Sequence, residues 1–297
     1  MTGPEAGYLL LCCHLGNPDR KVLTTAQLRT LSRRMQDFSM NDSNRDLEAV
    51  DLMALGYSRE AAAHILFLLS EEELLSRYLR RAAKAGCVPI VRISPLYPKR
   101  LREQLGDEAP GCLWARGDLE ILKDSKISLV GSRDLNPRNA EFAAEAGRQA
   151  AFQGFTLVSG NARGADRTAQ EACLRAGGRV ISIVADSLEK HPLRENVLYL
   201  SEDDFGEEFS AQRALSRNRC IHAMSNKVLV AQSSFQHGGT WDGTVKNLRF
   251  RWSQVFYFAD RSPAMEQLCR MGANPVTLEE LSDLNALCGA EENFLSR

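Results

Sequence analysis

From Lys126 onward, short apolar runs alternate with longer segments of helical periodicity. Ile127–Val130, Phe155–Val158, Val180–Val184, Val197–Leu200, Val228–Ala231 and Val255–Phe258 have the length and residue types of strands. The intervening stretches Arg138–Phe152, Ala165–Ala176, Arg217–Met224, Thr240–Leu248 and Pro263–Met271 carry apolar residues at helical spacing. This alternation predicts an α/β fold, a doubly wound and mostly parallel sheet. Runs such as Ile181-Ser-Ile-Val184 suit strands buried on both faces.

The pattern before Lys126 is different. Residues 1–87 read as a small helical N-terminal domain, with apolar-periodic pieces at Leu9–Cys13, Ala26–Met35 and Leu47–Leu55. Ser58 is expected to cap a helix that runs to Leu69, and Ser70-Glu-Glu-Glu73 has the form of a capping box for the next one. That helix places Leu74, Leu75, Tyr78, Leu79 and Ala82 on one stripe, with Arg77, Arg80, Arg81 and Lys84 on a solvated face. The main unit is expected over 88–275. It begins with a connector that includes a strand at Val88–Ile93 and an extended segment at Pro110–Gly117. Residues 276–297 read as a short helical tail, opened by the capping box Thr277-Leu-Glu-Glu280, and the acidic run Glu202–Glu208 reads as a solvated loop.

Composition narrows the function classes. The 297 residues are 44% hydrophobic and 25% charged, which is ordinary for a globular protein. No apolar run approaches the roughly 20 residues of a membrane span, and no basic region precedes Tyr8–Cys13, so the expected location is the cytoplasm. The eight cysteines form no C-x-x-C pair and no zinc-type spacing with histidine, and no metal is expected. A net charge of −1 means that any nucleic-acid contact must come from a local basic patch.

Such a patch is predicted at one sheet edge. Val130-Gly131-Ser132-Arg133 follows the first strand of the alternating region, and Ser159-Gly160-Asn161-Ala162-Arg163-Gly164-Ala165-Asp166 follows the second. In a β-α-β unit both loops emerge at the same edge, the ligand edge of open α/β sheets. Glycines allow close backbone approach, Ser132 and Ser159 offer hydroxyls, and Arg133 and Arg163 can fork onto phosphate. Asp166 reads as a helix cap or a partner that orients an arginine. Ser216-Arg217-Asn218-Arg219 reads as the opening of a later helix, and His237-Gly238-Gly239-Thr240 leads into another, with Trp241 either packed or available for base stacking. The chain lacks G-x-G-x-x-G, G-x-x-x-x-G-K-[ST] and G-x-S-x-G, and no catalytic residues are assigned.

In this order, the loops resemble the DNA-processing protein A (DprA, or Smf) family. The residues that carry the resemblance are Val130–Arg133, Ser159–Asp166, Gly177-Gly178, Arg217–Arg219 and Ser233–Thr240, with connector matches at Tyr97-Pro98, Leu113-Trp114 and Gly117-Asp118. It spans about residues 88 to 260. Ala214-Leu215-Ser216 stands where the family usually carries Phe-Pro-x. The resemblance implies an extended Rossmann-like fold and a non-enzymatic, cofactor-free protein that binds single-stranded DNA in an arginine-lined pocket. It also implies homodimerisation and delivery of the strand to a RecA-type recombinase during DNA uptake and recombination. Arg133 and Arg163 would be pocket arginines. Gly131, Ser132, Ser159, Gly160 and Gly164 would supply backbone or hydroxyl contacts, and Arg217 and Asn218 would close the far side. Two other readings compete: a sensor of a small nucleotide, and a LONELY GUY-like nucleotide phosphoribohydrolase, suggested by Gly238-Gly239-Thr-Trp-Asp-Gly243-Thr244. The second of these lacks the acidic residue that the hydrolase needs, since Val245-Lys246-Asn247 follows the loop.

Overall fold

A computed structural model describes residues 1–37, 46–202 and 204–288. The expected tail lies outside the described residues from 289 onward, as does Asp203 of the acidic run. Helices α1 (Gly3–Cys12), α2 (Thr25–Asp37), α3 (Ala49–Ala54), α4 (Arg59–Leu69) and α5 (Glu72–Lys84) come first. There follow β1 (Val88–Val91), α6 (Lys99–Leu105), β2 (Cys112–Gly117), β3 (Lys126–Val130), α7 (Pro137–Phe152), β4 (Thr156–Ser159), α8 (Ala165–Arg175), β5 (Val180–Ile183) and β6 (Val197–Ser201). The remainder is α9 (Ala211–Ala223), β7 (Lys227–Val230), α10 (Gly238–Phe250), β8 (Gln254–Phe258), α11 (Pro263–Arg270) and β9 (Asn274–Val276).

The strands form one sheet in the order β1-β2-β6-β5-β4-β3-β7-β8-β9. From β6 to β9 every neighbouring pair is parallel, while β1–β2 and β2–β6 are antiparallel. The fold is therefore the expected mostly parallel, Rossmann-like α/β sheet. Successive strands run outward from β3 through β4 and β5 to β6, and the chain then returns to place β7 on the other side of β3. That reversal makes the β3/β7 boundary the topological switch point, where loops on adjacent strands diverge and leave a crevice.

Side-chain alternation divides the core into two layers. Ile127, Leu129, Leu157, Leu229 and Phe256 point into one, with Phe142 of α7 stacked on Phe258 at 4.6 Å between ring centroids. Val130, Val158, Ile181, Val228 and Tyr257 point into the other, against Cys220 and Ile221 of α9. The N-terminal helices share the first layer. Tyr78 of α5 meets Trp114 of β2 edge-on at 5.5 Å, Phe205 packs on both rings, and the Tyr78 hydroxyl donates to the Asp204 carboxylate.

Several local expectations are corrected. Ser70 does not open α5: its hydroxyl turns back to donate to the Phe67 carbonyl (2.8 Å) at the end of α4, and Glu71 precedes α5. The capping box at Thr277 forms, with the Thr277 N–H donating to Glu280 (2.7 Å), but only a 3-10 turn over Glu279–Ser282 follows it. The short edge strand β9 contains Pro275, which is tolerated where one side of the strand has no neighbour. The most consequential difference concerns α9, which starts six residues before Arg217. Ser210 caps it by accepting the Arg213 N–H (3.0 Å), so Arg217–Arg219 lie within the helix.

Candidate nucleic-acid interface

A cavity of about 560 Å³ lies at the switch point. Its walls are the loop after β3 (Gly131, Ser132, Arg133, Asp134), Ala162 and Asp166 from the β4–α8 turn, one face of α9, and the segment Ser234–Thr240 leading into α10. Of the residues expected at a ligand site, Gly131, Ser132, Arg133, Asp166, Arg217, Asn218, Gly238, Gly239 and Thr240 meet there.

Internal hydrogen bonds hold the walls in place. Ser132 N–H donates to the Gln232 carbonyl (2.9 Å), which ties the β3 loop to the β7 loop. Thr240 Oγ1 donates to the Gly131 carbonyl (2.9 Å), and Asn218 Nδ2 donates to the Gly239 carbonyl (3.0 Å). Asn218 thus positions the first turn of α10. His237, the residue before α10, supplies no side-chain cap. Gly238, Gly239 and Thr240 therefore bring the uncapped N-terminus of a helix to the cavity wall, a setting that favours an anion.

The N-terminus of α8 is used differently. Ala165 N–H donates to the Ser132 carbonyl (3.1 Å) and Arg167 N–H to the Ala162 carbonyl (3.2 Å), so these donors are spent within the protein. Gly164 makes this docking possible: it has φ +86°, and a Cβ there would lie 2.4 Å from the Ser132 carbonyl oxygen. Asp166 does not cap α8, since Gly164 occupies the cap position. Its buried carboxylate instead accepts the Ala162 N–H (3.2 Å) and faces Arg217.

The four arginines have four different settings. Arg133 is exposed and, among the described residues, makes no side-chain hydrogen bond or ion pair. Arg163 stands on the outer rim, paired with Asp134 at 2.7 Å, both side chains largely in solvent. Arg217 is only 6% exposed, and its Nη1 donates to the Ile183 carbonyl at the end of β5 (2.5 Å). Burial pushes the Arg217 guanidinium down and the Asp166 carboxyl up, and each charge offsets part of the other's shift; Arg133 adds like-charge repulsion on Arg217. Arg219 faces elsewhere, bonded to Glu202 (2.8 Å) and to the Glu108 carbonyl (3.0 Å), beside a neighbouring depression. Ser159 and Gly160 lie beneath the site and not in its wall. Trp241 is 8% exposed, meets Phe235 edge-on at 5.4 Å and lines the neighbouring depression instead of the cavity.

The sequence reading passed over His222, Phe209 and Leu215. The last two are large apolar side chains about half exposed at the cavity. All of Ala211, Ala214, Leu215, Asn218 and His222 fall on one helical face, and a helix started at the Ser210 cap reveals it. His222 is fully buried and its pKa falls to about 3 because burial disfavours the charged ring.

Fold and crevice together define a Rossmann-like α/β protein with a cavity at its switch point. The chain belongs to the DNA recombination-mediator protein A family, whose match covers residues 89–277. It is 30% identical over 141 residues to DNA processing protein DprA of Streptococcus pneumoniae, covering 44% of this chain and 50% of that protein. It is 28% identical over 175 residues to the Bacillus subtilis protein of the same name, covering 55% and 58%. The chain thus spans about half the length of these relatives in the matched region. The crystal structure of the Streptococcus pneumoniae protein shares the fold, with a TM-score of 0.72 at 22% identity over 95% of this chain and 97% of that one. A structure of DNA processing protein A from Helicobacter pylori, described for its single-stranded DNA binding mode, superposes with a TM-score of 0.57 at 23% identity over 66% and 94%.

Proposed function

We propose that this chain binds single-stranded DNA through the phosphates of the strand, in the cavity at the β3/β7 boundary. The observation that carries the reading is Arg133: an exposed guanidinium with no partner among the described residues, at the same cavity wall as the uncapped N-terminus of α10. Both features attract the same chemistry, a phosphate oxygen. Arg217 and Asn218 act from beneath, Arg217 as a buried positive charge and Asn218 as the brace of the α10 turn. Single-stranded DNA is also what the Helicobacter pylori relative's structure concerns.

Within this proposal the protein works as a pair of like chains and hands the strand to a RecA-type recombinase, a binding role with no chemical step. The decisive experiment is a titration of short labelled single strands, duplexes and mononucleotides at two salt concentrations. If about four phosphates are held, log K falls against log[salt] with a slope of roughly −3. Single strands are expected to outcompete the other two. An affinity that ignores salt, or equal binding of duplex, sinks the reading. Preference for a mononucleotide would transfer the site to a small-nucleotide sensor, and release of free base from a nucleoside monophosphate would make it a hydrolase.

A further inference from the structure

A second cavity, of about 520 Å³, lies where the N-terminal helices meet the connector. It shares no wall residue with the crevice at the switch point. Its walls carry Arg29 and Arg33 of α2, Arg92 just after β1, and Arg102 of α6. Among the described residues, Asp107 is the single carboxylate of the wall, and it is paired with Arg29.

Arg92 is the unusual member. It is 8% exposed, and its Nη1 is buried with no hydrogen-bond partner among the described residues. Its other contacts are weak: Nη2 reaches the Arg102 carbonyl at 3.5 Å, and Arg102 Nη1 reaches the Arg92 carbonyl at 3.3 Å. The two arginines therefore brace each other through backbone oxygens, with no acid between them. Burial depresses the Arg92 pKa; Tyr97 and Tyr8 offset part of that shift, and the like charges of Arg29 and Arg102 add to it. A buried guanidinium with an idle donor among like charges is costly in the empty protein, and an anion removes that cost. A single carboxylate cannot balance this wall, whereas adjacent phosphates match several forked donors at once.

We propose that this junction cavity binds a chain of condensed phosphates, as carried by a nucleoside triphosphate or by free polyphosphate, with Arg92 at its base and Arg33 and Arg102 at its rim. The site is separate from the strand-binding crevice, and it joins the N-terminal helices to the connector through one shared ligand.

Isothermal titration of the full chain with tripolyphosphate and with ATP, at constant ionic strength, tests this. One equivalent of each is expected to bind, and Arg33→Ala is expected to weaken binding at least roughly ten-fold, the effect of losing one charged hydrogen bond. Arg33 is exposed, so its loss does not disturb the core; Arg92→Gln provides the buried counterpart and is expected to lose more. Arg133→Ala should leave polyphosphate binding unchanged, and Arg33→Ala should leave strand binding unchanged. Equal affinity for both ligands assigns the site to free polyphosphate and tighter ATP binding to a nucleotide; either upholds it. The proposal is overturned if neither ligand binds, if Arg33→Ala has no effect, or if binding disappears in Arg133→Ala.

Discussion

Arg217 fills the space that a side chain at position 160 would need. A Cβ on Gly160 would stand 1.7 Å from Arg217 Nη1 and 2.3 Å from Cζ, so the guanidinium lies directly against the backbone where β4 ends. The same Nη1 donates to the Ile183 carbonyl, which links α9 to the ends of two parallel strands. Gly160→Ala is therefore expected to push Arg217 out of its bed. Overpacking costs about 1–3 kcal/mol and the lost charged hydrogen bond adds to it, so a loss of about 2–4 kcal/mol is expected in denaturant unfolding, together with weaker strand binding. A variant as stable as the wild type would show that Arg217 has another place to go.

Arg133 is the contrasting case. Its exposed guanidinium makes no side-chain hydrogen bond or ion pair among the described residues. Arg133→Ala should leave the unfolding midpoint unchanged, weaken single-strand binding about ten-fold and reduce the magnitude of the salt slope by roughly 0.7, the share of one phosphate contact. Titration at several salt concentrations measures both effects. An unchanged slope would remove Arg133 from the phosphate contacts.

The pattern of apolar positions made the sheet legible, because strands buried on both faces write a run such as Val228–Val230 with little ambiguity. The edge where the loops gather was legible too, since the direction of each strand decides where its loop emerges. Rotation about α9 was not. Starting the helix at Ser216 let Arg217, Asn218 and Arg219 act as one unit. Inside a helix, positions two apart point about 200° away from each other, so Arg217 and Arg219 cannot serve one cavity. The missing information was the Ser210 cap, which sets the phase of the whole helix. The use made of the α8 N-terminus was equally hidden, because its hydrogen bond to Ser132 joins two loops that are distant in sequence.

The Arg163–Asp134 pair holds a charge at the cavity rim in a neutralised state. Both side chains are well exposed, and a surface pair of this kind contributes about 0–1 kcal/mol to stability. Asp134→Asn should therefore leave the melting temperature nearly unchanged while adding a positive charge next to the phosphates. Strand affinity is expected to rise several-fold at low salt and to return toward wild type as salt screens the added charge. Arg163→Ala, which removes a charge already balanced, should weaken binding less than Arg133→Ala. Weaker binding by Asp134→Asn would mean that Asp134 holds the loop and not the charge.

His222 gives the fold a dependence on pH. The Asn247 amide is oriented by the Ser253 N–H, which donates to its Oδ1 (2.9 Å), so Nδ2 faces the His222 ring and donates to Nδ1 (3.0 Å). The ring proton then resides on Nε2, and a buried imidazolium has no acceptor at Nδ1. With the folded pKa lowered to about 3 and the unfolded value near 6.5, the unfolded chain binds the extra proton first. The stability contributed by neutral His222 is present above pH 6.5 and is lost as the pH falls from there toward 3. Over most of that window the loss approaches about 1.4 kcal/mol per pH unit for this one group. Unfolding free energies measured between pH 7.5 and 5 should show this decline, and His222→Gln, which keeps an acceptor for Asn247 without a titrating ring, should flatten it. A variant whose pH profile runs parallel to the wild type would place the titrating group elsewhere.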